Sequence, residues 1–222
     1  MAAGPNEIEL KRLLQGEAAA EKLIATLGAP VREEKRQVNH IFDTDDRRLD
    51  RARYAVRLRT EGTRAFLTAK GPSRNVTSDT ATKVEAEITL EPSEVTAVLS
   101  GAVDPVSMLK ERATNPAFNE LWRGIEQANG NQELRSWGHF ENLRRSVPVT
   151  LPDGESVTVE IDRTRFSNGR VEDEVEIEVR DESVIRNVES WLEQKARAAG
   201  VSLQHSTPKI ARFFESIESR EQ

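Results

Sequence analysis

The chain has 222 residues, a formal net charge of -6, a pI near 5.4 and no cysteine. The acidic balance argues against a general nucleic-acid footprint, and the missing cysteines exclude disulfides, thiol nucleophiles and Cys-based metal sites. Charged residues make up 32% and aromatics only 5%, so the core must be aliphatic and much of the charge must be either surface or functional. No basic-then-apolar leader and no run of about 18 apolar residues is found, so one soluble, cytoplasmic domain over 1–222 is expected, without a membrane partner.

The first strand is expected at Asn6-Glu7-Ile8-Glu9-Leu10-Lys11, with Glu7, Glu9 and Lys11 on one face and Ile8 and Leu10 on the other. Glu17 to Leu27 reads as a helix that Gly28 and Pro30 stop. Strands follow at Val38 to Asp43, at Tyr54 to Thr60 with Arg57 and Arg59 sharing a face, and at Arg64 to Lys70. Gly71 to Thr82 reads as a polar loop. Lys83 to Leu90 alternates cleanly, with Lys83, Glu85 and Glu87 on its polar face.

Pro92-Ser93 opens a short helix to about Leu99, and a helical insertion is expected from about 104 to 138. Strands resume over Phe140 to Thr150, Ser156 to Phe166 and Glu174 to Arg180. Ser183 to Ala199 is an amphipathic helix ended by Gly200, and Thr207-Pro208 opens a last helix. The fold class expected is α+β: an eight-stranded antiparallel β-tunnel, a closed barrel or strongly curved sheet, with peripheral helices.

The polar faces of these strands carry paired ions of one sign. The acids are Glu7, Glu9, Glu85, Glu87, Glu160, Asp162, Glu174, Glu176 and Glu178; the bases are Lys11, Arg57, Arg59, Lys70, Lys83 and Arg145. Cross-strand ion pairs on an exposed face contribute only about 0–1 kcal/mol each, too little to require so many matched pairs. Paired carboxylates suit Mg²⁺ or Mn²⁺, and paired arginines suit phosphate oxygens. Lys209 in the first turn of the last helix opposes the helix dipole, a penalty that a bound phosphate would reverse. The histidines lack metal-site spacing, no phosphate-loop signature is present, and no aromatic residue is placed near the charged lining.

The chain resembles the CYTH family, also called triphosphate tunnel metalloenzymes. The resemblance rests on ordered pieces: Glu7-Ile8-Glu9-Leu10-Lys11, Phe42-Asp43-Thr44, Arg57-Leu58-Arg59, Leu67-Thr68-Ala69-Lys70-Gly71-Pro72, Glu85-Ala86-Glu87, Arg144-Arg145-Ser146, Glu160-Ile161-Asp162, Glu174-Val175-Glu176-Ile177-Glu178, and Ser206-Thr207-Pro208-Lys209 with Arg212. It implies an eight-stranded tunnel that hydrolyses triphosphate compounds with Mg²⁺ or Mn²⁺. Glu7, Glu9, Asp162, Glu176 and Glu178 would face metal. Lys11, Arg57, Arg59, Lys70, Arg145, Lys209 and Arg212 would hold phosphates. Glu85 and Glu87, with Lys11, are the implied catalytic groups, the two glutamates either ligating metal or orienting water. Arg145 is taken as the inward residue of its strand because of its neighbours Leu143 and Val147, with Arg144 as the alternative. Inorganic triphosphate is the first substrate expected. Adenylate cyclisation, thiamine triphosphate hydrolysis and a non-catalytic polyphosphate-binding module are the alternatives. The helical insertion is left as a lid, a homodimer surface or packing.

Overall fold

The computed structural model describes residues 7–72, 74–75, 80–130, 132–179 and 181–219; the side chains of residues 7, 74, 75, 80–83 and 182 lie outside that description. Strand β1 (Glu7–Leu14) leads into helix α1 (Glu17–Leu27), which ends where Gly28 turns left-handed at φ 77°. The long strand β2 (Glu33–Asp43) follows. At its end Asp43 is buried. Its carboxylate accepts from the backbone N–H of Thr44 at 2.7 Å, Leu49 at 2.9 Å and Asp50 at 2.9 Å, and so fastens the short helix α2 (Arg48–Arg51) against the sheet.

Strands β3 (Ala55–Glu61) and β4 (Arg64–Lys70) form a hairpin. Within the expected polar loop the chain makes two short strands, β5 (Arg74–Asn75) and β6 (Thr80–Lys83); Ser73 and residues 76–79 are outside the described set. β7 (Glu85–Leu90) then leads into α3 (Pro92–Leu99), α4 (Pro105–Arg112) and α5 (Asn119–Asn129). Asp104 caps α4 by accepting from the Ser107 N–H at 2.7 Å, as an aspartate before a proline predicts. The helical stretch ends at Asn129 rather than near 138. β8 (Arg135–Thr150) follows, and its Trp137 and Phe140 pack with Phe213 and Phe214 of the last helix. β9 (Ser156–Arg165), β10 (Val171–Val179), α6 (Ile185–Ala199), β11 (Gln204–His205) and α7 (Lys209–Glu218) complete the chain.

The strands run in the order β5-β6-β1-β10-β9-β8-β2-β3-β4-β7, with β11 beside β1. Every pairing is antiparallel. Only Val84 separates β6, next to one end of this order, from β7 at the other, so the two are one stretch of chain. Its first part pairs with β1 through Glu7↔Lys83 and Ile8↔Thr82; its second part pairs with β4 through Lys70↔Glu85 and Thr68↔Glu87. The sheet therefore closes on itself, and closure removes the exposed edges that an open sheet would leave. Counting β6 and β7 as one stave, the ring has the eight long staves expected of the tunnel.

Alternation divides each stave between an outer apolar face and an inner polar one. On one side the outer faces of β1, β8, β9 and β10 pack Leu10, Val147, Val159, Ile161, Val175 and Ile177 under α1 and α6. On the other, Leu58, Leu67, Ala86 and Ile88 pack beneath α4 and α5, where Leu109, Leu121, Trp122 and Ile125 are buried. A third cluster, Ile41, Phe140, Phe166, Phe213 and Phe214, lies where α7 meets the ring. Trp137 adds an indole N–H bond to the Thr44 carbonyl at 3.0 Å. Among the described residues no helix is long and apolar enough to cross a membrane.

Leu10 is wholly buried in the first cluster. Leu10→Ala is expected to lower the free energy of unfolding in urea by about 2–5 kcal/mol, through lost burial and the cavity it leaves. A loss below about 1 kcal/mol would contradict this packing.

Candidate active site

The inner faces of β1, β8, β9 and β10 place their ions in one enclosed wall. Glu9 and Lys11 are brought beside Glu178 and Glu176, Glu160 beside Glu176, and Asp162 beside both Glu174 and Arg144. The Lys11 ammonium lies 2.7 Å from Glu9 and 3.5 Å from Glu176. Arg144 grips Asp162 with both prongs of its fork, Nε at 2.8 Å and Nη2 at 2.7 Å, and its Nη2 also donates to Glu176 while Nη1 meets Glu160. From the first turn of α7, Lys209 reaches Asp162 at 2.9 Å, Glu174 at 2.6 Å and Glu176 at 2.5 Å. One turn later Arg212 donates to Glu174 at 2.9 Å and to Glu172.

Burial alone would push these cations toward neutrality; the surrounding carboxylates prevail. Lys11 is held above the ordinary lysine range by Glu9, Glu176 and Glu174. Lys209 is raised by Asp162, Glu174 and Glu176, and Arg144 is raised by Asp162, Glu176 and Glu160. Burial likewise opposes ionisation of the acids. Even so, Arg144 and Lys209 keep Asp162 low, while Lys209, Lys11 and Arg144 hold Glu176 well below the carboxylate range. Glu160 is the exception. Burial first, then crowding by Asp162 and Glu176, push it up to about 7, against the pull of Arg144 and Lys209.

The opposite part of the ring is basic. β3 and β4 direct Arg57, Arg59, Thr68 and Lys70 inward, with Glu85 and Glu87 from β7. The Thr68 hydroxyl donates to Glu87 at 2.9 Å, and Arg59 lies 3.3 Å from both Glu87 and Glu61. Lys70 pairs with Glu85. Arg57 differs from its neighbours. Its Nε, like that of Arg59, is buried without a hydrogen-bond partner, but Arg57 alone of the pair has, among the described residues, no carboxylate within ion-pair distance. Burial first, then Arg59 and more weakly Arg144, hold its pKa below the usual arginine value, against the pull of Glu85 and Glu87.

The structure thus brings together the expected Lys11, Glu9, Asp162, Glu176 and Lys209 on one wall and Arg57, Arg59, Lys70, Glu85 and Glu87 on another. Glu178 shares the inward face of β10 but is exposed. The backbone of Glu7 pairs with Lys83 in the ring; their side chains lie outside the described residues.

Arg145 requires correction. It points outward to Glu21 on α1, and Arg144 is the inward residue. Its apolar neighbour Val147 belongs to the outer core under α1 and α6, not to the tunnel lining. The polar partners of Arg144 at two-residue spacing, Asn142 and Ser146, carried the correct signal. Phe66 is a second correction: it shares the inward face with Thr68 and Lys70 and lies 5.1 Å beneath the Arg59 guanidinium, so the lining does include an aromatic ring. Neutral lining residues, Gln37, Asn39, Asn142 and Thr164, also escaped the charge pattern. Their alternation along β2, β8 and β9 was the signal available.

The donor chemistry of the acidic wall fits a hard divalent cation, since it offers carboxylate oxygens and no soft ligand. Among the described residues no three acidic or histidine side chains converge as a ready-made ligand set, because Lys209 and Arg144 sit among Asp162, Glu174 and Glu176. The carboxylates nonetheless outnumber the cations on this wall. Glu160, raised first by its burial, stands among them.

No curated protein matches the chain. Among solved structures, it is similar to a Hippeastrum protein, HpAC1, named as a candidate adenylyl cyclase with a dominant triphosphatase activity: 23% identity, TM-score 0.74, covering 94% of this chain and 95% of that one. It is similar also to a candidate adenylate cyclase of Bacillus halodurans (21% identity, TM-score 0.65, 95% and 100% covered). A third is the PH1819 protein of Pyrococcus horikoshii (14% identity, TM-score 0.53, 96% and 99% covered). At these identities the likeness is one of fold. The family model of the CYTH domain matches residues 5–214, nearly the whole length, and the chain belongs to the CYTH domain family.

Proposed function

We propose that the protein is a divalent-metal-dependent hydrolase of triphosphate compounds, with inorganic triphosphate its first substrate. The observation that carries this reading is Arg57: a half-buried arginine whose Nε is out of water and unbonded, beside Arg59 and without a carboxylate at ion-pair distance among the described residues. Burying a cation in that way is costly unless an anion arrives, and a phosphoryl group matches the planar fork. The dominant triphosphatase activity named for the Hippeastrum protein supports the same reading.

In this reading Arg57, Arg59 and Lys70 hold phosphoryl oxygens on one side. Lys11, Arg144 and Lys209, all kept protonated by their carboxylate neighbours, neutralise charge on the other. Glu9, Glu176, Glu178 and Asp162, with Glu7, are the residues that would hold the cation. When bound, Mg²⁺ or Mn²⁺ supplies Lewis-acid neutralisation of the phosphate oxygens. Thr68 and Arg59 fix the orientation of Glu87, which makes Glu87, with Glu85, the carboxylate suited to position an attacking water. Enclosure by the ring strengthens each of these interactions by limiting water. A second reading, an organic triphosphate such as thiamine triphosphate or a nucleotide with hydrolysis or cyclisation, is favoured by Phe66. Its ring beside Arg59 could stack a base or thiazole.

The purified protein should release phosphate from inorganic triphosphate with Mg²⁺ or Mn²⁺, lose that activity in a chelator and regain it when metal is restored. Parallel assays with thiamine triphosphate and ATP, with cyclic AMP also measured, rank the substrates; binding without turnover under every metal would select the non-catalytic module instead. Glu176→Gln should abolish phosphate release while circular dichroism shows a retained fold; full activity would remove Glu176 from the site. Arg144→Ala should lower kcat/KM by roughly a hundredfold or more. Arg145→Ala, which removes an outward ion pair, should leave it within about threefold. The opposite ranking would reverse the inward assignment.

A further inference from the structure

The inner face of β2 presents Gln37, Asn39 and Ile41 in succession, all buried. Gln37 is fully engaged. Its Nε2 donates to Glu61 at 2.8 Å, and its Oε1 accepts from Asn142 Nδ2 at 3.1 Å. Asn142 Oδ1 in turn accepts from the Thr164 hydroxyl at 3.0 Å. Gln37, Asn142 and Thr164 form a neutral band across β2, β8 and β9, anchored at β3 by the Glu61 carboxylate, whose hydrogen bonds are made within the protein.

Asn39, two positions along the same face, is different. It is 1% exposed, yet its Oδ1 is buried without a hydrogen-bond partner, and no bond from its carboxamide is formed among the described residues. A buried amide left unpaired opposes folding, and such groups are rare in native proteins. The surroundings indicate what would pair with it. Its neighbour across β3 is Arg59; Arg57 lies opposite the next inward residue, Ile41. On β8 its neighbour is Phe140, part of the apolar cluster with Phe213. Asn39 therefore stands beside the two arginines, at the border between the basic wall and the apolar floor. Rotation of the carboxamide presents either Oδ1 or Nδ2, so it can donate to an anion without adding charge.

We propose that Asn39 is a substrate-contacting residue, its carboxamide hydrogen-bonding the phosphoryl group that Arg57 and Arg59 hold. This rests on the triphosphate reading. It adds to that reading a neutral, directional contact that limits how far the phosphoryl chain reaches toward the aromatic floor.

The test uses the full chain and Asn39→Leu, which is close in size and lacks the amide. Inorganic triphosphate is titrated by calorimetry, and phosphate release is followed with Mg²⁺ or Mn²⁺. Asn39→Leu should raise Kd and KM about tenfold, the loss of one hydrogen bond to a charged group. Its thermal midpoint should equal or exceed that of the wild type, because an unpaired buried amide has been removed. Asn39→Ala provides the same comparison should the leucine variant fail to fold. Unchanged Kd and KM, with or without a lower midpoint, would overturn the proposal and assign Asn39 to structure or to an internal water. A wild-type protein that neither binds nor hydrolyses triphosphate would remove the triphosphate reading and this proposal together. Equal binding by wild type and variants would remove only the latter.

Discussion

A carboxylate withdrawn from water needs positive charge beside it or takes up a proton. The interior of this ring is organised by that requirement. Asp162 is wholly buried and Glu176 nearly so, and both are kept acidic by cations that touch them: Arg144 and Lys209 for Asp162, and Lys209, Lys11 and Arg144 for Glu176. Lys209 comes from α7, far along the chain from the strands it neutralises. The last helix is thus part of the electrostatic wall as well as a cover. Arg212 one turn later repeats the arrangement with Glu174 and Glu172.

The same requirement explains the asymmetry across the tunnel. On the acidic wall carboxylates exceed cations, and Glu160 there is raised mainly by burial. On the basic wall Arg57 has the reverse imbalance. A bound polyanion would give Arg57 the partner that the described residues do not. The chain holds these imbalances because its outer surface is a conventional apolar core. Two clusters packed under α1 and α6, and under α4 and α5, stabilise the ring from outside. The lining is thereby freed to carry charge, a division that a sheet of period two makes possible.

Closure is the second constraint. One stretch of chain, interrupted only at Val84, pairs with β1 on one side and β4 on the other. It joins the stave of Glu9 and Lys11 to the stave of Lys70, and so sets the acidic and basic walls around a common interior. The same stretch brings Glu85 and Glu87 onto the basic side, where Lys70, Thr68 and Arg59 engage them.

Much of this is legible in the sequence. Strict alternation in Glu7 to Lys11, Arg57 to Arg59 and Glu174 to Glu178 assigns each residue a face, because side chains in a strand alternate whatever the strand pairs with. The helix stops at Gly28 and Gly200 followed from local backbone chemistry in the same way. Arg144 and Arg145 were not separable locally. Adjacent residues always face opposite sides, and which side was inside depended on whether Val147 packed beneath α1 and α6 or toward the tunnel. Nor could the sequence show that Lys209 would meet Asp162, Glu174 and Glu176, or that Asn39 would be buried without a partner while Gln37 was satisfied. Those outcomes depend on register and closure across strands distant in the chain. Local alternation assigns the faces and their charges; pairing between strands distant in the chain selects the face that encloses the cavity and the ions that meet there, because register and closure are set by long-range contacts.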